Sequence, residues 1–245
     1  MRDEGERLGL GYISYRNTVT HIIITSFRNL CSQVCSDGTR RLANCISITM
    51  DQSSMRDETI ILIGPEGSGK STVGKLVAKV LSKELYSLDR YRDELYAPYN
   101  YDKVLAESIY ENQGLWAFYE HWKTFEYQAV SHILQNASRE GDEFHGKILD
   151  FGAGHSVYEE SKQLARIEEM IKPYHNVILL TPCEDVEEAV KITESRRGHE
   201  LGLNKHFMEH PSNKRLAKHV IYTKDTTPEE CAESVLRIVR VPRGA

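Results

Sequence analysis

Cysteine is scarce in this chain, and its spacing is uninformative. The five residues, Cys31, Cys35, Cys45, Cys183 and Cys231, are odd in number and none stands in a C-x-x-C arrangement. That removes the usual zinc and redox signatures and leaves reduced thiols in a cytosol-like compartment as the expectation. Long apolar runs are missing as well. The isoleucine cluster at residues 22–24 is closed off by His21 and Thr25, far short of the ~20 residues that a bilayer span needs, so a soluble protein without a membrane partner is expected. There is no surplus of positive charge: 31 Lys and Arg stand against 36 Asp and Glu, a formal charge of −5. A dedicated nucleic-acid binder releases counterions from a dense basic surface, and this composition argues against one.

Residues 1–54 lack any long periodic segment. Acidic residues nearly vanish between positions 11 and 49, where Asp37 stands alone against Arg16, Arg28, Arg40 and Arg41, a balance like that of a transit peptide. The acidic opening Arg2-Asp3-Glu4-Gly5-Glu6 argues the other way. An upstream extension of the reading frame is a third reading, because Met55 directly precedes the first convincing strand. The expected organisation is an N-terminal appendage over 1–54 and one folded domain over 55–245. The expected location is the cytoplasm, or an organelle if 1–54 is a transit segment.

What the chain has is alternation. With 245 residues, 40% hydrophobic and 27% charged, it can bury a substantial core. From residue 58 onward, short aliphatic runs alternate with longer amphipathic ones, the pattern of βα units around a parallel sheet. Strands are predicted at 59–63, 84–88, 147–151, 176–181 and 219–223. Val73, Leu76, Val77, Val80 and Leu81 mark one helix face. Further helices are predicted at about 115–136, 158–171 and 186–196, and a last one opens at Pro228 with Glu229 and Glu230 in its first turn. Five strands with crossover helices make a doubly wound α/β domain.

One motif carries chemistry. Gly64-Pro65-Glu66-Gly67-Ser68-Gly69-Lys70-Ser71 satisfies G-x-x-x-x-G-K-[ST], and Thr72 follows. The glycines let successive backbone N–H groups converge on phosphate oxygens at the positive end of the next helix. Lys70 would meet the β- and γ-phosphates, and the Ser71 hydroxyl would bind Mg²⁺. A buried strand before the motif and an amphipathic helix after it supply the context that the motif requires. ATP and Mg²⁺ are therefore the expected cofactors.

The run GPEGSGKSTVGKLVAKVL, then a strand ending Tyr86-Ser87-Leu88-Asp89 and another ending Gly152-Ala153-Gly154, resembles shikimate kinase. The likeness runs in order over residues 58–240 and is tight at the phosphate loop and its helix. It implies a nucleoside-monophosphate-kinase-like P-loop fold, with five parallel strands in the order 2-3-1-4-5, helices on both faces and a mobile lid. It also implies site residues. Asp89 falls where that family contacts the acceptor hydroxyl with a carboxylate that can act as base, although a helix N-cap suits it too. Ser87 stands where the family carries a second acid. Asp150 ends a hydrophobic strand in the Walker B manner and suits Mg²⁺, or it is a strand-end cap. Lys123 falls at a substrate-binding arginine of the family, or lies on a solvated helix face. Gly152, Ala153 and Gly154 would lie against the substrate, with His155 hydrogen-bonding the acceptor or capping the next turn. Arg196 and Arg197, in the segment 195–202, would close over ATP and offset charge on the transferred phosphoryl, or form a solvated basic turn. Glu209 and His210 replace a carboxylate-binding arginine.

The function expected is that of an ATP-dependent phosphotransferase, a monomer that acts on the hydroxyl of a small-molecule acceptor. The alternatives are a nucleoside or nucleotide kinase, and an ATP-binding module with slow hydrolysis and no acceptor.

Overall fold

The computed structural model describes residues 58–200 and 202–240. The expected division at residue 54 lies outside them, as do Cys31, Cys35 and Cys45. Within them, Ile60-Ile61-Leu62-Ile63 is completely buried. A β-branched run flanked by apolar layers on both sides belongs in the middle of a parallel sheet, and that is its place. The strands are β1 (Ile60–Ile63), β2 (Leu85–Ser87), β3 (Ile148–Asp150), β4 (Asn176–Thr181) and β5 (His219–Tyr222). They form one sheet in the order β2-β3-β1-β4-β5, with every pair parallel. All five predicted strands are found, trimmed by at most a residue at either end.

The helices are α1 (Lys70–Leu81), α2 (Arg92–Tyr96), α3 (Lys103–Asn136), α4 (Ser161–Ile171), α5 (Val186–Arg197), α6 (Asn204–Glu209), α7 (Ser212–Leu216) and α8 (Pro228–Arg240). Strand alternation divides β1 between two cores. Ile60 and Leu62 join Val73 and Val77 of α1 with Val235 and Val239 of α8 on one face. Ile61 and Ile63 join Val130 and Ile133 of α3 with Ile167 of α4 on the other.

Three details depart from the sequence reading. Helix α3 is broken at Gly114, whose φ of 86° and ψ of −179° leave the helical region, so the predicted start near 115 is real but a further segment, 103–113, precedes it. The Asp102 carboxylate caps that segment by accepting from the amides of Val104 and Leu105. Second, α4 begins at Ser161 rather than 158, because Glu160, with φ −85° and ψ 120°, is extended and serves as its N-cap, while the Tyr158 amide donates to Ser212 Oγ. Third, the N-cap of α2 is Tyr91, with no side-chain cap bond, so Asp89 does not act as its cap.

Among the described residues no helix is long and apolar enough to cross a membrane. Cys183 and Cys231 carry free thiols.

Candidate active site

The loop from β1 to α1 takes its shape from glycines that no other residue replaces easily. At Gly64, with φ 136°, a Cβ would stand 2.1 Å from the Leu180 carbonyl oxygen. Gly69, with φ 98° and ψ 4°, turns the chain into α1 and aims the first amides of that helix into the loop. Lys70 is buried, and its Nζ donates to the carbonyls of Gly64 at 2.8 Å and Pro65 at 2.9 Å. Burial lowers its pKa, against the pull of Asp150, Asp89 and Glu66. The buried Ser68 hydroxyl has no partner. A buried orphan hydroxyl beside converging amides and an ammonium is a cradle suited to phosphate oxygens.

At the carboxyl end of β3, Asp150 accepts a 2.6 Å hydrogen bond from Ser71 Oγ. β3 pairs with β1, which brings Asp150 beside the start of α1, where Ser71 lies, 79 positions earlier in the chain. Burial pushes the Asp150 carboxyl up, and Lys70 and Ser71 oppose this. Among the described residues no group of three His, Cys, Asp or Glu side chains is arranged to hold a metal. One hydroxyl and one carboxylate nonetheless fit Mg²⁺, which keeps waters and phosphate oxygens as its remaining ligands.

Across from the loop, Asp89 follows β2 with its side chain 52% exposed and pairs with the guanidinium of Arg92. The Asp89 carboxylate fills the space beside Gly152, where a Cβ would stand 2.2 Å from its Oδ1. Gly154 is likewise pressed against Glu126, with 2.4 Å from a built Cβ to Oε1. The two glycines of the loop therefore exist to admit two carboxylates. His155 follows in a short 3₁₀ turn (Ala153–Ser156) and is fully buried. Its Nε2 lies 2.9 Å from the Tyr96 hydroxyl, and its Nδ1 lies 3.9 Å from Asp89 Oδ1.

Lys123 is not on a solvated face. Its buried ammonium pairs with Glu126 and donates to the Gly154 carbonyl at 2.6 Å, so it fastens helix α3 to the loop. Arg196 donates to the Thr223 carbonyl at 2.6 Å and its hydroxyl at 2.9 Å, and Arg197 pairs with Glu66. Glu209 points outward beside Lys205, and His210 faces Glu159 at 3.7 Å.

A cavity of about 930 Å³ joins these parts. Residues 66–72, Asp89, Asp150, Ala153, Gly154, Arg196 and Arg197 line it, whereas Gly64, Pro65, Gly152, Lys123 and His155 do not. Three residues that the sequence did not single out belong to the same constellation. Arg92 lines the cavity between Asp89 and the Trp122 ring, 4.0 Å from its centroid. Glu126 lines it beside Gly154. Asn204 accepts from the Glu66 amide and donates to the Glu66 carbonyl and to Thr193 Oγ1, tying α6 to the phosphate loop and α5. An arginine three residues after a strand-end aspartate was the one available signal for Arg92; nothing local marked the other two.

The shikimate kinase family model matches residues 66–240. Among curated proteins, the shikimate kinase of Marinomonas sp. (strain MWYL1) is 31% identical over 109 residues, 44% of this chain and 50% of that protein. The shikimate kinase of Bacillus licheniformis is 25% identical over 111 residues, 45% and 53% of the two chains. The match thus spans about half the length of these curated relatives. Among solved structures, the shikimate kinase from Acinetobacter baumannii in complex with shikimate superposes with a TM-score of 0.51 at 19% identity, covering 78% of this chain and 99% of that one. That likeness is one of fold.

Proposed function

We propose, since the chain belongs to the shikimate kinase family, that it transfers a phosphoryl group from Mg·ATP to the hydroxyl of a small molecule. The observation that carries this reading is the placement of Asp89 across one cavity from Lys70 and the Ser71–Asp150 pair. When bound, Mg·ATP supplies the transferable phosphoryl group; Ser71 and Asp150 are the residues that would hold the metal. The amides of residues 66–71 bind the phosphates, and Lys70 stabilises charge that builds on the transferred group. Asp89 orients the acceptor hydroxyl and accepts its proton. Arg196 and Arg197, at the end of α5, shield the site from water and offset charge.

The acceptor side holds two carboxylates, Asp89 and Glu126, each already paired with a cation, Arg92 and Lys123. A carboxylated acceptor has to take Arg92 from Asp89 and then meets both acids, so an uncharged alcohol is the preferred acceptor. The test is an ADP-release screen over shikimate, gluconate, nucleosides and nucleoside monophosphates, with a no-acceptor control. The expected result is acceptor-dependent release, with shikimate about ten- to hundredfold poorer in KM than the best uncharged compound, the cost of roughly one charged hydrogen bond. A micromolar KM for shikimate overturns the acceptor preference. Release that no acceptor accelerates leaves an ATP-binding module with slow hydrolysis.

Gly152→Ala tests the role of Asp89 without touching it. The added methyl collides with the half-exposed carboxylate, which can swing aside, so the melting temperature should hardly move. Displacing a positioned group by about 1 Å costs roughly a hundredfold in rate, and a comparable loss of acceptor-dependent turnover is expected. Full activity in this variant would remove Asp89 from the reaction.

A further inference from the structure

We propose that His155 is the positioning residue for Asp89: Tyr96 fixes its tautomer so that an N–H at Nδ1 is held toward the carboxylate that receives the acceptor hydroxyl. This rests on the phosphotransfer reading above, which gives Asp89 that task.

His155 is pinned on every side but one. Its amide donates to the Gly152 carbonyl at 3.0 Å, and its carbonyl accepts from the Tyr158 hydroxyl at 2.6 Å. Its Nε2 is 2.9 Å from the Tyr96 hydroxyl. Only Nδ1, fully buried, lacks a hydrogen-bond partner, and the nearest acid in front of it is Asp89, at 3.9 Å. A buried N–H without a partner is costly, and an orphaned one facing a half-exposed carboxylate is a reason for that carboxylate to turn toward it.

The tautomer follows from the neighbours. Burial lowers the His155 pKa, against the pull of Glu126 and Asp89, so the ring is neutral and carries one proton. Tyr96 is itself buried, and the same burial holds its phenol protonated. Among the described residues, His155 Nε2 is the one hydrogen-bond partner of the Tyr96 hydroxyl, and a buried O–H has to place its proton on an acceptor. The phenolic proton therefore points to His155 Nε2, which must accept it. The single imidazole proton is left on Nδ1, aimed at Asp89.

Tyr96, His155, Asp89 and Arg92 thus form a chain of polar groups that ends in the Asp89–Arg92 ion pair. The gap of 3.9 Å is not a hydrogen bond; contacts of this kind shorten when the reacting complex forms. A neutral donor on one oxygen orients the carboxylate and leaves its other oxygen for the acceptor hydroxyl. It adds no positive charge that would weaken Asp89 as a proton acceptor, as a second guanidinium would.

The test uses the full chain and the variants His155→Asn, His155→Gln, His155→Leu and Tyr96→Phe. An asparagine amide reaches the Nδ1 position and keeps the donor; a glutamine amide reaches Nε2 and does not. With whichever acceptor the screen yields, kcat is expected to fall roughly ten- to hundredfold in the Leu and Gln variants while KM for ATP holds, in line with the cost of misplacing a catalytic group. The Asn variant should recover most of the loss. A merely structural role would instead move the melting temperatures in parallel with activity. Nitrogen-15 NMR of the ring, assigned by the difference between wild type and His155→Asn, reads the tautomer without any acceptor. Protonated Nδ1 and accepting Nε2 are expected, with a mixture in Tyr96→Phe. A proton on Nε2, or an Asn variant as impaired as the Leu variant, overturns the proposal. A screen without any acceptor-dependent release defeats the phosphotransfer reading instead, and the NMR result still judges the tautomer.

Discussion

Lys70→Met is expected to lower ADP formation by a hundredfold or more while leaving the melting temperature within about 2 °C of wild type. Methionine keeps the buried methylene stem and removes only the charge. Loss of a charge contact made to the transition state costs roughly 2.7–4 kcal/mol, which is a factor of about a hundred to a thousand. Stability responds differently, because two effects oppose each other. The ammonium gives up two charge-assisted hydrogen bonds to Gly64 and Pro65, but it also stops paying for burial, the larger influence on its pKa. A net change of about 0.5 kcal/mol moves Tm by only one or two degrees in a domain of this size. Steady-state ADP release with a parallel melting curve decides the matter, and unchanged turnover in the folded variant would sink the phosphotransfer reading.

The second large effect is expected from Asp89→Asn. The amide has nearly the shape of the carboxylate but cannot hold the acceptor proton, and general-base contributions run to about 10²–10⁴-fold. Arg92 loses its ionic partner at the same time, yet the pair lies at a half-exposed site, where screening leaves it little weight in stability. The expected outcome is therefore a kcat loss of at least about a hundredfold with the ATP dissociation constant nearly unchanged, as read by calorimetry. An Asn variant that retained a third of wild-type turnover would show that Asp89 does not take the proton.

How much of this was legible in the sequence follows from the range of the interactions concerned. The strands β1 and β4 are continuous aliphatic runs, and the phosphate loop is a contiguous motif whose geometry its glycines dictate, so local reading reached them. Strand order came through a family resemblance, since no single strand states its neighbours. The segment 103–113 was missed because its apolar residues Val104, Leu105 and Tyr110 are exposed while Ala106 is buried, so no buried stripe marks a period, although Asp102 is a cap signal that a closer reading would have used. Lys123 was placed on the right helix, but as a choice between substrate and solvent. Its actual partner, Glu126, sits one turn further on, and only the approach of Gly154 buries them both. Arg92 and Asn204 could not be ranked above other polar residues, because their importance comes from Trp122 and Glu66, elements that only the fold brings near. His155 shows the same limit from the other side: the residue was noticed, but its direction depends on Tyr96, nearly sixty positions earlier.

The strand order also bears on how this chain comes to be folded. β1 is the first of the described strands yet lies third across the sheet, and its partners are Ile148, about ninety residues later, and Asn176, more than a hundred residues later. At roughly 5–20 residues per second of synthesis, the Ile-Ile-Leu-Ile segment waits on the order of 4–18 s for its first neighbour. Through that interval a sticky, unpaired strand is exposed to whatever else is in the cell, and pairings over such distances are intrinsically slow. The phosphate loop hangs from that strand, with Gly64 wedged against the Leu180 backbone of β4. On the proposed reading, nucleotide affinity is therefore expected to be a late acquisition, returning on refolding only when β1 is enclosed by β3 and β4.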